Sequence, residues 1–203
     1  MKKAPERSRS PKEVLMSTQP VVRRWTYDEF ARLPNDGNRY EIIGGELYVS
    51  PAPTLTHQKT VLNLSFALEG FVREHGLGEL YPGPADVLFG EGDYLAPDLF
   101  FVRADRKQIL KDRGAEGAPD LVVEVLSPKT ATRDRKLKRE RYAHFGVAEY
   151  WVVDPTARRI EVYRAGDDQA QRIEVATESL QWTPVPGGPT LTLNVAELFP
   201  PKS

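Results

Sequence analysis

One stretch constrains the fold more than any other: Leu121-Val122-Val123-Glu124-Val125-Leu126 is almost wholly aliphatic, preceded by Asp120 and followed by Ser127-Pro128. A run of this length and composition reads as a central strand covered on both faces. Glu124 breaks the pattern. Burying an ionised carboxylate costs several kcal/mol unless a cation or a metal compensates it. A structural ion pair with an arginine is the plain alternative to a functional site at this position.

Other elements assemble around that strand. Thr26 and Glu29 form a capping box that opens a short helix through Leu33, which Pro34 stops. Two β-rich runs between Arg39 and Ser50 flank Gly44-Gly45, a pair suited to a tight hairpin turn. Val61, Leu64, Leu68, Phe71 and Val72 recur at helical spacing, predicting a helix from about Thr56 to His75 with Gly76 beyond its end. Strands are expected near 79–89 and 96–102, then at 149–153, 159–163, 172–175 and 180–183. A helix is expected over 132–145, ended by Gly146, and a short closing helix over 195–199. This order implies an α/β fold, a mixed α+β sheet with helices against its faces.

Residues 1–20 mix Lys, Arg, Ser, Pro and Glu with few large apolar groups and are expected to form a disordered basic tail. They lack the apolar segment of a secretory signal, and no apolar run is long enough to cross a bilayer. Cysteine is absent, which excludes disulfides and thiolate metal sites and fits a cytoplasmic location.

The net charge of -1 excludes a globally basic nucleic-acid binder, but the cations are unevenly placed. Lys129, Arg133, Arg135, Lys136, Lys138, Arg139 and Arg141 face only Asp134 and Glu140 in sequence. Arg103 to Arg113 holds five cations against Asp105 and Asp112. Solvated helical faces are the ordinary explanation for such runs. Two of them near an acidic site also suit a phosphate-facing surface.

Asp98, after Pro97, brings a second carboxylate to the start of an apolar strand, where a turn residue is also common. If its strand neighbours that of Glu124, the two carboxylates can converge on a hard cation such as Mg²⁺ or Mn²⁺. Asp134, Lys138 and Tyr142 share one face of the following helix, so Lys138 can be aimed at the carboxylates. There it would neutralise charge on a phosphate oxygen and help place an attacking water. An exposed lysine paired with Asp134 is the alternative. His75 and His144 lack metal spacing and read as structural, while Asp86 and Asp93 read as strand-end or loop residues.

Pro97-Asp98, the run Val123-Glu124-Val125-Leu126-Ser127-Pro128, Arg133-Asp134 with Lys138 and Tyr142, and the segment Gly146 to Asp154 together resemble the Uma (Uma-two) family of restriction endonucleases. That family lies within the PD-(D/E)XK nuclease superfamily. Tyr40-Glu41, Glu46 and His57-Gln58 are similar to it as well, so the likeness spans roughly Trp25 to Arg164. The resemblance implies one restriction-endonuclease-like domain over 21–203 with a β-rich C-terminal extension, hydrolysing DNA phosphodiesters with Mg²⁺ or Mn²⁺. It implies Asp98 and Glu124 as metal ligands, joined by the backbone carbonyl of Val125. The superfamily usually places lysine two residues after the glutamate; here that residue is Leu126, and Lys138 on the next helix takes the role. An upstream glutamate is also expected, Glu41 in preference to Glu46. His57, Glu46, Asp134 and Tyr142 are candidates to support the site from behind. By analogy a homodimer is expected, with the β-rich C-terminal part as its interface. The competing reading is a catalytically inactive nuclease-like module that binds nucleic acid or protein. No helix-turn-helix, zinc finger or aromatic stacking platform is visible in the sequence to set specificity.

Overall fold

A computed structural model describes residues 25–90, 92–165 and 172–201; the basic tail expected over 1–20 lies outside the described residues. Thr26 and Glu29 cap each other as expected and open α1 (Tyr27–Phe30). β1 (Arg39–Ile43) and β2 (Glu46–Ser50) form the hairpin. Gly44 and Gly45 turn it with φ of 61° and 88°, angles that cost glycine nothing. α2 (Leu55–His75) starts with the Thr54 hydroxyl accepting from the His57 N–H and ends at Gly76 in the left-handed region.

The segment expected as one strand over 79–89 is two: β3 (Gly78–Pro82) and β4 (Asp86–Gly90). The strand expected over 96–102 is β6 (Leu99–Arg103), and a short strand outside the expected ranges, β5 (Asp93–Leu95), precedes it. A 3₁₀ turn (Ala104–Ile109) then leads to β7 (Leu110–Lys111), β8 (Gly114–Glu116) and β9 (Leu121–Val125). The next helix runs through α3 (Ala131–Arg133), a π turn (Asp134–Lys138) and α4 (Arg139–His144). β10 (Glu149–Asp154), β11 (Arg159–Arg164) and β12 (Arg172–Ala176) follow. β13 (Ser179–Trp182), β14 (Leu191–Asn194) and a 3₁₀ turn (Val195–Leu198) close the described chain.

The central sheet has the order β12-β11-β10-β9-β6-β3, with β9 parallel to β10 and antiparallel to β6. It is the mixed α/β arrangement expected from the order of elements. Alternation along β9 divides the interior in two. Leu121, Val123 and Val125 join Leu64, Leu68 and Val72 of α2 in one core. Val122 packs on the other side with Phe100, Tyr142, Tyr150 and Val152. That second core is closed by a sheet of order β2-β1-β5-β4-β8-β7, which the sequence pattern did not predict. Its β5, β7 and β8 have only two or three residues each, too few for alternation to show.

The C-terminal extension leaves Ile173 and Val175 of the edge strand β12 exposed, while its later part turns inward. Leu180, Trp182, Leu193, Val195, Leu198 and Phe199 are buried in the α2 core, so these residues complete the fold. Among the described residues, no helix is long and apolar enough to cross a membrane.

Candidate functional site

Pairing of β6 with β9 sets Leu99 opposite Val123. One step further along both strands, Asp98 therefore comes beside Glu124, on the face that carries Phe100 and Val122. The Asp98 N–H donates to the Val123 carbonyl at 3.2 Å, and the Asp98 Oδ2 accepts the Val125 N–H at 2.8 Å. Arg39 Nη1 donates to Oδ1 at 2.7 Å, while His57 Nε2 lies 3.0 Å from Oδ2. Burial works against the Asp98 charge, but His57 and Arg39 outweigh it and hold the carboxyl down at about 2. Asp98 is thus an anion fixed from three directions.

Glu124 is held from the helix. Lys138 Nζ donates to its Oε1 at 2.8 Å, and the Tyr142 hydroxyl donates to the same oxygen at 3.0 Å. Lys138 also pairs with Glu41 Oε1 at 2.7 Å and lies 3.8 Å from Asp134 Oδ1. Asp134, Lys138 and Tyr142 are all buried, on the inward face of the segment that includes the π turn. Tyr150 anchors that turn by donating from its hydroxyl to the Asp134 carbonyl at 3.0 Å. Turns of this kind are rare and recur at functional sites.

One ammonium thus serves three carboxylates, and the proton affinities follow. Burial disfavours the charge on Lys138, but Glu124, Glu41 and Asp134 hold its pKa above the ordinary lysine value. Burial pushes Glu124 up; Lys138 opposes this, while Asp98, Asp134 and Glu41 add to it. Asp134 is raised as well, chiefly by burial. The upward shifts on both sides of the ion pair are consistent. The lysine stays charged because it is surrounded by carboxylates, and Glu124 and Asp134 rise because burial outweighs what the lysine returns to each.

Of the two upstream glutamates, Glu41 is in the site and Glu46 is not. Glu41 Oε1 accepts the Ala96 N–H at 3.1 Å as well as the lysine. Glu46 is exposed on β2, where its carboxylate accepts the Tyr48 hydroxyl at 3.0 Å. Asp93, at a strand end, accepts the Gly44 N–H and pairs with Arg141, a structural tie.

These groups line a cavity of about 380 Å³ between α2, β1 and the start of α3. Glu41, Asp98, Glu124 and Asp134 meet Arg39, Lys129, Arg133 and Lys138 on its walls. The basic run over 129–141 therefore divides. Lys129, Arg133 and Lys138 line the cavity, whereas Arg135 turns away to Asp154 and Glu161. The first basic stretch does not form the expected phosphate-facing surface beside the site. Arg103 and Arg106 are engaged by Asp120 and Lys107 by Glu79, and no residue of that stretch lines the cavity.

Sequence reasoning missed Arg39 and Ser50, and it placed Arg133 only in the basic run and the family-like motif, without a partner. Arg39 was detectable, since it stands two residues before Glu41 on one strand and so shares its face. Arg133 Nη2 donates to Ser50 Oγ at 2.6 Å, and the guanidinium lies over the Tyr48 ring. A contact across 83 residues leaves no mark in the local pattern.

The donor set suits a hard divalent cation. Asp98 and Glu124 offer carboxylate oxygens at the cavity, and Glu41 Oε2 and Asp134 Oδ1 are buried oxygens without a hydrogen-bond partner. Among the described residues, no group of three or more His, Asp or Glu could hold an ion alone. A cation here would draw its remaining oxygens from the backbone, water and substrate, as Mg²⁺ commonly does.

A crystal structure from Anabaena variabilis, described as "a putative nuclease belonging to DUF820", has the same fold. The TM-score is 0.69 at 22% identity, covering 86% of this chain and 97% of that one. No curated protein matches the chain. The family Uma2, described as "Putative restriction endonuclease", matches residues 27–196, from the first turn of α1 to the closing 3₁₀ turn, and the chain belongs to that family.

Proposed function

We propose that the chain is a metal-dependent endonuclease that hydrolyses DNA phosphodiester bonds in the cavity between α2 and β9. The observation that carries this reading is the meeting of Asp98 and Glu124, from neighbouring strands, with the buried Lys138 at one cavity. Asp98, Glu124 and the Val125 carbonyl would hold Mg²⁺ or Mn²⁺, which when bound polarises a phosphoryl oxygen and acidifies a water. Arg39 and His57 keep Asp98 ionised and fix its orientation. Lys138 stays protonated, positioned to offset negative charge gathering on the phosphate and to hold the attacking water. Glu41 and Asp134 also hold the ammonium, at 2.7 Å and 3.8 Å. Lys129 and Arg133, at the mouth of α3, supply positive charge for the DNA backbone.

A second reading is a nuclease-like module that binds nucleic acid without cutting it. It is favoured by one feature: each acid already has a cation of its own chain, Arg39 for Asp98 and Lys138 for Glu124. Cleavage of supercoiled and linear DNA with Mg²⁺ separates the two. The nuclease reading expects cutting by the wild type and a loss of at least roughly a hundredfold in Asp98→Ala and Glu124→Ala, both still folded by circular dichroism. Undiminished cutting by both purified variants removes the proposal, and DNA binding that needs neither ion nor carboxylate favours the module.

A further inference from the structure

α2 buries one face in the core and leaves a second apolar stripe uncovered. Leu55, Leu62 and Phe66 are 83%, 60% and 84% exposed, an unusual cost for three large apolar side chains on one helix. With Lys59 they recur at spacings of four, three and four residues, which keeps them on one side of the helix. Gly70 continues the stripe. A helical glycine destabilises by about 0.5–1 kcal/mol relative to alanine. Its own chain gives no reason for it, because a Cβ built there meets nothing within 4 Å.

The charges on this stripe are self-complementary. Lys59 makes no ion pair among the described residues. Glu69, half-exposed, is held by Arg73 at 2.7 Å. Laying a second α2 antiparallel to the first, with the crossing level with Leu64, brings Leu62 against Phe66 of the second copy. The same register sets Lys59 against Glu69 of the second copy and Leu55 along the stem of its Arg73. Gly70 then falls opposite Gln58, where a missing side chain allows close approach. A groove of about 600 Å³ between α2 and β14, lined by Leu62 and Phe66, can receive the incoming ring.

We infer that α2 is the interface of a homodimer, in which a second copy of this chain packs antiparallel across Leu55, Leu62 and Phe66. Two-fold symmetry makes every contact occur twice, so the Lys59–Glu69 pairing is formed at both ends. The interface uses no residue that holds Asp98 or Glu124, and it stands whether or not the cavity cuts DNA.

Analytical ultracentrifugation of the full chain tests it. The wild type is expected at twice the chain mass, and Leu62→Glu/Phe66→Glu at the monomer mass with an unchanged circular dichroism spectrum. Lys59→Glu and Glu69→Lys should each weaken association by roughly threefold to tenfold. Combining them reverses both charges, so the double variant should return to within about threefold of the wild type. A wild type that is monomeric at about 100 μM, far above the range of a specific dimer, overturns the inference. So does a dimer indifferent to the two glutamates, or a charge swap that restores nothing.

Discussion

Lys138 Nζ lies 2.8 Å from Glu124 Oε1, both side chains almost fully buried at the wall of the cavity. The pair sits between a central strand and the helix that follows it, and Glu41 joins it from the second sheet at 2.7 Å. Three layers of the protein therefore meet at one ammonium.

Removing that ammonium should be costly in a pH-dependent way. The folded pKa of Lys138 is raised above its ordinary 10.5, so its stabilisation is complete at every pH below that value. Lys138→Met leaves Glu124 without a cation and Glu41 and Asp134 with Arg133 alone, and is expected to cost about 3–5 kcal/mol near pH 8. Glu124 and Asp134 have raised folded pKa values, so they take up protons early as pH falls and the deficit shrinks. Urea unfolding of wild type and variant at pH 8 and pH 5.5 measures the difference.

Glu124→Gln should behave differently. Without divalent ions it relieves repulsion from Asp98, Asp134 and Glu41, and Lys138 keeps Glu41 as a partner. Thermal melts in chelator are expected to change by less than about 1 kcal/mol, or to rise. A loss above about 3 kcal/mol would mark the glutamate as a structural partner of the lysine.

The acid limb of stability should depend on the Arg135 cluster, remote from the cavity. Arg135 bonds Asp154 at 2.7 Å and Glu161 at 2.9 Å, and Arg159 and Tyr163 also donate to Glu161. Burial opposes the Glu161 charge, but these donors hold its pKa below the ordinary 4.5. A depressed carboxyl contributes stability that is present above 4.5 and lost as pH falls through the folded value. Glu161→Gln should therefore be less stable than the wild type at pH 7, and the two should converge as the pH falls through the depressed folded value. Melts from pH 7 to pH 3 show whether they do.

Gly114→Ala should disrupt the small sheet that backs Glu41. A Cβ at that position would stand 1.8 Å from the Asp86 carbonyl oxygen, where β8 pairs with β4. Its φ of 154° adds a conformation that alanine resists. A loss of about 2 kcal/mol or more in urea unfolding is expected.

Much of this arrangement was legible in the sequence, because burial leaves a pattern. Glu124 stood out by interrupting an aliphatic strand, and Lys138 by its spacing from Asp134 and Tyr142. The long helix showed its core face through Leu64, Leu68 and Val72. What escaped notice depends on direction or on distance along the chain. β5 and β8 have three residues each, too short to alternate. Arg103 and Arg106 belong to a run whose sequence suits a phosphate-facing surface, yet Asp120, distant along the chain, engages both. Leu62 and Phe66 fit no core, and periodicity alone does not separate a second apolar stripe from the first.

The central claim is that Asp98 and Glu124 together hold a divalent ion. Calorimetric titration of the folded chain with Mn²⁺, repeated on Glu124→Gln and Asp98→Asn, tests it most directly. The account predicts saturable binding by the wild type and at least a roughly tenfold weakening in each variant. Equal Mn²⁺ affinity in all three proteins would contradict it.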